Sequence, residues 1–263
     1  MNSPTPRAGL GSVLYGWACY AVGVAGLAYC ILFLLGTGVP TAVDDPATRP
    51  WYSALAIDFG LVIGWGVQHS AMARPRFKRW LTRYVPQHAE RVTYCLASGV
   101  TLAAVCLLWQ PIDGVIWSVG AGVWATALTT ASLAGWVFLL AATFAIDHFE
   151  LFGISQVMRA FLGRPEPEAK FTERLMYRVV RHPIQTGVLV GVWFTPHMTV
   201  SHLLFAATMT LYIHVGLYFE ERALLREFGD AYAEYMRRVP KLIPGARLLR
   251  ARSVLGRVVD ARP

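Results

Sequence analysis

Long uninterrupted apolar runs constrain this chain more than any other feature of it. Four of them, at about 12–36, 51–73, 91–110 and 120–147, reach the roughly 20 residues that a helix needs to cross a hydrocarbon core of about 30 Å. In lipid each backbone N–H and C=O must be paired within the protein, so runs of this kind are read as helices. Charged residues make up 15% of the 263, against about 25% in a soluble domain. The segments between the runs are too short to fold a separate water-soluble core. The expected architecture is all-α, a polytopic membrane helical bundle over residues 1–245.

A fifth apolar region, 183–221, is broken at Thr195-Pro196-His197, the pattern of a helical hairpin with a shorter first arm and a full second arm. The hairpin brings the count to six membrane helices. With six helices and a cytoplasmic N-terminus, 23 of the 24 Lys and Arg fall on the cytoplasmic side and only Arg49 falls outside. Five helices would carry the ten basic residues of 222–262 to the outside, so both termini are expected in the cytoplasm. The net charge of +8 then belongs to loops facing anionic headgroups, and nucleic acid is excluded as a partner. Residues 246–263 place Leu248, Leu255, Val258 and Val259 at helical spacing among arginines and read as a basic amphipathic tail on the membrane surface.

Cys19, Cys30, Cys95 and Cys106 lie inside apolar runs, with no CxxC pair and no histidine at ligand spacing, and are read as packing residues. No metal is expected. Ionisable groups are costly in lipid, so those at span ends and interiors are candidates for function. They collect on the cytoplasmic side: Gln68-His69-Ser70 at the end of the second run, Glu90-Arg91 at the start of the third, Asp147-His148-Phe149-Glu150 after the fourth, and Arg181-His182-Pro183 and Glu220-Glu221-Arg222 at the two ends of the hairpin. All five are expected to line one pocket. Asp58 lies mid-span, as a structural hydrogen-bonding group or as pocket wall. His214 and Tyr218 read as pocket lining or helix contacts, and His197 and His202, on the outer turn, as solvated.

Pro183 suits a first helical turn, where its missing N–H is harmless, and a helix N-terminus beside Arg181 attracts a carboxylate or phosphate. Gly187 permits close backbone approach. Glu220 and Glu221 can accept hydrogen bonds from an ammonium or from ribose hydroxyls. A nucleoside carrying a zwitterion satisfies both ends, and S-adenosylmethionine is one.

The stretch Arg181-His182-Pro183-Ile184-Gln185-Thr186-Gly187, with Glu220-Glu221, Phe228-Gly229, Tyr232, Tyr235 and Pro240, resembles the isoprenylcysteine carboxyl methyltransferase and phospholipid methyltransferase superfamily. That resemblance implies a site for S-adenosylmethionine at the cytosolic face, formed by Arg181, His182, Pro183, Gly187, Glu220, Glu221, Tyr232 and Tyr235. One position departs: the tyrosine usual in RHPxYxG is Gln185, which speaks against lipid-type substrates. Over nearly the whole chain, Gln68-His69-Ser70, Met72-Ala73-Arg74, Phe77-Lys78, Pro86, Glu90-Arg91, Tyr94 and Ile146-Asp147-His148-Phe149-Glu150-Leu151-Phe152-Gly153 are similar to the bacterial methanethiol S-methyltransferases. This implies methylation of the thiol of methanethiol to dimethyl sulfide, in a bacterial inner membrane, with the active site facing the cytoplasm and membrane lipid as its surroundings.

Methyl transfer to sulfur is an in-line displacement that needs alignment and a thiolate, and thiols are mostly protonated at neutral pH. His69 and His148 are the candidate bases, Asp147 the group orienting a histidine, and Arg91 the cation lowering the thiol pKa. Rival readings are a lipid or prenyl-cysteine methyltransferase, which would need a long apolar groove, and a non-enzymatic denitrification-linked membrane accessory protein, which would not need so complete a donor site.

Overall fold

The computed structural model describes residues 7–167 and 171–245, so the amphipathic tail expected at 246–263 lies outside the described residues. In chain order the elements are α1 (Leu10–Leu35), α2 (Trp51–Met72), α3 (Pro75–Leu81), α4 (Glu90–Leu108), β1 (Val115–Ser118), α5 (Val123–Ile146), α6 (His148–Phe152), α7 (Ile154–Leu162), α8 (Pro183–Trp193), β2 (His197–Thr199) and α9 (Val200–Arg238). The fold is predominantly helical. Among the described residues, four helical segments have both the length and the apolarity of a membrane span: Leu10–Leu35, Gln87–Leu108, Val123–Ile146 and Val200–Arg238. The other two of the expected six differ for separate reasons. At 22 residues α2 has the length, but Asp58, Gln68 and His69 dilute its apolar character. With only 11 residues, α8 is about 16 Å long at 1.5 Å per residue, roughly half a hydrocarbon core.

Two close helix pairs form the frame. In the first, α1 lies against α4 through Gly23, Gly26 and Gly99, and a Cβ added at Gly26 would sit 2.2 Å from the Gly99 carbonyl oxygen. In the second, α5 and α8 meet at Gly135, Gly187 and Gly191, with a Cβ at Gly187 falling 2.7 Å from the Gly135 oxygen and Ser132 Oγ donating to the Gly191 carbonyl at 2.7 Å. Lipid tails are as apolar as leucine, so helices associate in a membrane by van der Waals contact and interhelical hydrogen bonds, and small residues permit both.

The hairpin break is real and turns through a strand. After α8, β2 pairs antiparallel with β1, and Thr199 then caps α9 by accepting from the His202 N–H. Here the expectation that His202 is solvated is corrected. His202 is buried, with Nε2 donating to the Val192 carbonyl at 2.9 Å, because the first turn of α9 tucks under the last turn of α8. His197 is half-buried, with Nδ1 3.3 Å from Ser118 Oγ. Asp58 takes its structural role: it is fully buried, and Oδ1 accepts from the Gln110 N–H at 2.8 Å, fastening α2 to the end of α4. The four cysteines are buried and unpaired, as packing residues are.

Candidate active site

The two ends of the α8–α9 hairpin meet in one buried knot centred on Glu221. Arg181 Nε and Nη2 donate to Glu221 Oε1 at 2.9 and 2.7 Å, His182 Nε2 lies 3.1 Å from the same oxygen, and Lys241 Nζ reaches Oε2 at 2.8 Å. A carboxylate only accepts, so His182 Nε2 carries its proton in this bond. The remaining arm of Arg181 donates to the carbonyls of Val239 and Met236, at 2.6 and 3.1 Å. Backbone bonds from Arg181 N to Pro240 O and from His182 N to Lys241 O, with Thr186 Oγ1 donating to Leu242 O, pin 240–242 onto the start of α8. The chain reaches that position because α9 breaks at Gly229, whose φ of 53° and ψ of −127° are conformations open to glycine.

This geometry reassigns one expected role. Arg181 does not present a free guanidinium to a ligand; its donors are spent on Glu221 and two carbonyls. The group left facing outward is Glu220, with about half of its side chain exposed and Oε1 4.0 Å from His182 Nδ1. Tyr235 donates to the Tyr177 carbonyl at 2.6 Å, and the buried Tyr232 hydroxyl has no hydrogen-bond partner. Burial, with the charge of Glu220 adding to it, holds the Tyr177 phenol above its ordinary pKa. Pro183 is the first residue of α8, as expected. Gly187 stands apart from the knot: its close approach is to α5.

The candidate bases occupy two further clusters. His69 Nε2 lies 2.8 Å from Tyr94 Oη and Nδ1 lies 3.0 Å from Ser98 Oγ, with Trp65 stacked on the imidazole and Tyr212 bonded to Ser70. His148, 4% exposed, has Nδ1 2.7 Å from Thr143 Oγ1 and Nε2 2.7 Å from Tyr20 Oη, and Phe144 stacks on its ring at 4.2 Å. Asp147 does not orient either histidine. Its Oδ1 accepts from the Glu150 N–H, capping α6, at a backbone φ of 137° that turns the chain out of α5. Arg91 Nε donates to the Leu151 carbonyl at 3.0 Å, tying α4 to α6, while Glu150 pairs with Arg159.

Helix geometry decides which clusters face the knot. Tyr212 and Glu221 are nine residues, or two and a half turns, apart on α9, so the side that meets α2 and the side that meets Arg181 are opposite. The His69 cluster and Glu221 therefore lie on opposite sides of α9, while Glu220, eight residues from Tyr212, is turned only about 80° from the face that meets α2. His148 differs. Gly135 and Leu139 of α5 abut Gly187 of α8, and Thr143, the partner of His148, follows Leu139 by one turn toward the end of α8 that carries His182. Several residues of these sites escaped the reading of the sequence, Thr143, Ser98 and Tyr212 among them. Lys241 and Tyr177 sit in unremarkable segments, and Tyr20 is an isolated phenol in an apolar run, which a search for polar atoms within spans would have found. Among the described residues, no group of three His, Cys, Asp or Glu side chains converges as a metal site.

Comparison with known proteins gives the lineage. No family model and no solved structure matches the chain. It is 44% identical over 233 residues to the methanethiol S-methyltransferase of Mycobacterium tuberculosis, covering 89% of this chain and 96% of that protein. It is 41% identical over 247 residues to the methanethiol S-methyltransferase of Pseudomonas deceptionensis, covering 94% of each. It is also 31% identical over 197 residues to human Nurim, covering 68% of this chain and 74% of Nurim. With identities above 40% across nine-tenths of its length, the chain belongs to the methanethiol S-methyltransferase family.

Proposed function

We propose that this protein methylates the thiol of methanethiol, giving dimethyl sulfide, with S-adenosylmethionine as donor. The observation that carries the reading is the Glu221 knot, which fixes the N-terminus of α8 beside the exposed carboxylate of Glu220. The residues present fit the donor: Glu220 accepts from its ammonium or ribose hydroxyls, the first turn of α8 offers N–H groups to its carboxylate, and the unpartnered Tyr232 hydroxyl supplies a buried polar contact. When bound, the sulfonium supplies the methyl group and a neutral thioether leaving group. Arg181 and Lys241 neutralise Glu221, His182 donates to it and the three hold the walls, while Tyr235 fixes the segment carrying Tyr177. Residues 1–245 act as one membrane unit of six helices, with the site and both termini on the cytoplasmic side of a bacterial inner membrane, and no metal takes part. A small apolar thiol partitions into the bilayer and enters between helices, which a soluble enzyme would not offer.

Incubating the purified protein in detergent with methanethiol and S-adenosylmethionine, and assaying dimethyl sulfide in the headspace by gas chromatography, tests this. Product above a control without protein, lost in Glu220→Gln with the fold retained, is the expected result. Donor binding without product would redirect the reading to lipid thiols or carboxylates, and no donor binding would remove it.

A further inference from the structure

A phenol within the apolar run of α1 needs a hydrogen-bond partner, and Tyr20 has one 128 residues away in His148 Nε2. The direction of that bond can be worked out atom by atom. Thr143 has a single hydroxyl proton, and it is donated to the Leu140 carbonyl at 2.7 Å, since a carbonyl only accepts. Thr143 Oγ1 must then accept from His148, so Nδ1 carries the imidazole proton. In the neutral ring Nε2 is left as a bare lone pair, and Tyr20 donates to it. The chain of bonds therefore runs Tyr20 O–H to His148 Nε2, His148 Nδ1–H to Thr143, and Thr143 O–H to a backbone carbonyl. The bonds of His69 admit no such assignment, because Tyr94 and Ser98 can each donate or accept.

Exposure separates the two members of the pair. His148 is 4% exposed and stacked on Phe144, with both nitrogens occupied, so it meets no substrate itself. Tyr20 is only half-buried and is the more exposed member of the pair. The titratable groups acting on the pair are Asp147 on His148 and Cys95 of α4 on Tyr20.

We infer that Tyr20 is the residue that takes the proton of the thiol, relaying its own to His148. This rests on the thiol-methylation reading. The thiol S–H bond breaks toward Tyr20 Oη as the Tyr20 O–H proton passes to Nε2, leaving a thiolate, an intact phenol and an imidazolium. The thiolate then forms the new C–S bond, the electrons of the old C–S bond remain on the departing sulfur, and the imidazolium returns its proton through Tyr20 to water.

The test compares wild type, Tyr20→Phe and Thr143→Val in lipid nanodiscs. Solid-state nitrogen-15 NMR of histidine-labelled protein without donor, with His148 assigned by its loss in His148→Gln, reads the tautomer directly. The expected result is an Nδ1–H imidazole in wild type, with the Nε2 signal moving to that of an unbonded imine nitrogen in Tyr20→Phe. In turnover, Tyr20→Phe should lower kcat by ~10²-fold or more at neutral pH, the usual effect of losing a proton-transfer group, with donor affinity by calorimetry unchanged. The deficit should shrink at higher pH and with a more acidic small thiol, both of which supply thiolate without help. An Nε2–H tautomer, near-wild-type kcat in Tyr20→Phe, or a deficit that neither pH nor the acidic thiol reduces would overturn the assignment. Wild-type protein that forms no thioether would instead overturn the reaction on which it rests.

Discussion

Glu221 and Glu220 are adjacent, yet their substitutions should separate cleanly. Glu221→Gln leaves the buried Arg181, and beside it the partly exposed Lys241, without their counter-charge, and removing one partner of a buried pair such as Arg181–Glu221 costs about 3–5 kcal/mol. Thermal unfolding in detergent should show a lowered Tm for Glu221→Gln and an unchanged one for Glu220→Gln. Calorimetry should find donor affinity weakened in the latter; equal Tm values for the two variants would refute the knot as a structural clasp. His148 gives a pH-dependent counterpart. Burial pushes its pKa below the ordinary 6.5, against the opposing charge of Asp147. Below pH 6.5 the unfolded chain takes up a proton that the folded His148 still refuses, so its contribution is complete above that pH and is lost as pH falls below it. The Tm of wild type should therefore drop more between pH 7.5 and 5.5 than that of His148→Gln, and parallel curves would refute it. The knot was legible in sequence because RHP and EE are local motifs. The partners of His148 were not, since Tyr20 lies 128 residues away and the adjacent Asp147, the obvious candidate, is turned by its positive φ into a helix cap.

At the scale of helices, close backbone approach rather than side-chain interlocking sets the α1–α4 and α5–α8 pairs. A Cβ at Gly26 or Gly187 would meet backbone oxygen at 2.2 or 2.7 Å, and backbone cannot swing aside as a flexible side chain does. Gly26→Ala and Gly187→Ala should each destabilise by about 1–3 kcal/mol, the usual cost of overpacking. Gly60→Ala in α2, where an added Cβ meets nothing within 4 Å, should be neutral or slightly stabilising. Thermal unfolding of the three side by side checks this, and equal Tm values would show that the pairs tolerate separation. Gly187→Ala carries a further consequence: by lifting α8 from α5 it should also weaken donor binding, since His182 and Pro183 open that helix. The sequence marked these elements well because apolar run length is set by the bilayer, and the hairpin break because proline forced it. It did not show that α8 would stop at 11 residues, since Thr195 and Pro196 mark where a helix must end but not how deep in the bilayer that end lies.

For the molecule as a whole, orientation turns on α2, the helix whose length suits a crossing while its polar residues dilute the signal. Asp58 need not oppose a crossing, because it is fully buried and bonded to the backbone at the end of α4, so lipid never meets it. If α2 crosses, the loop carrying Arg49 and the α3 segment carrying Arg76, Lys78 and Arg79 lie on opposite sides of the membrane, as the bias of basic residues requires. The four native cysteines are buried and unpaired, which leaves the surface clear for single introduced thiols. Thr48 and Arg83 are both exposed, one in each segment. In intact bacterial cells a membrane-impermeant maleimide should label Thr48→Cys and leave Arg83→Cys unmodified until the membrane is permeabilised. Labelling of both from outside would place α2 along the surface instead of across it, and the reverse pattern would turn the donor knot away from the cytoplasm. On the proposed reaction, whose donor S-adenosylmethionine is charged and cytosolic while a small thiol moves through lipid, only the first pattern lets both substrates reach one site without a transporter.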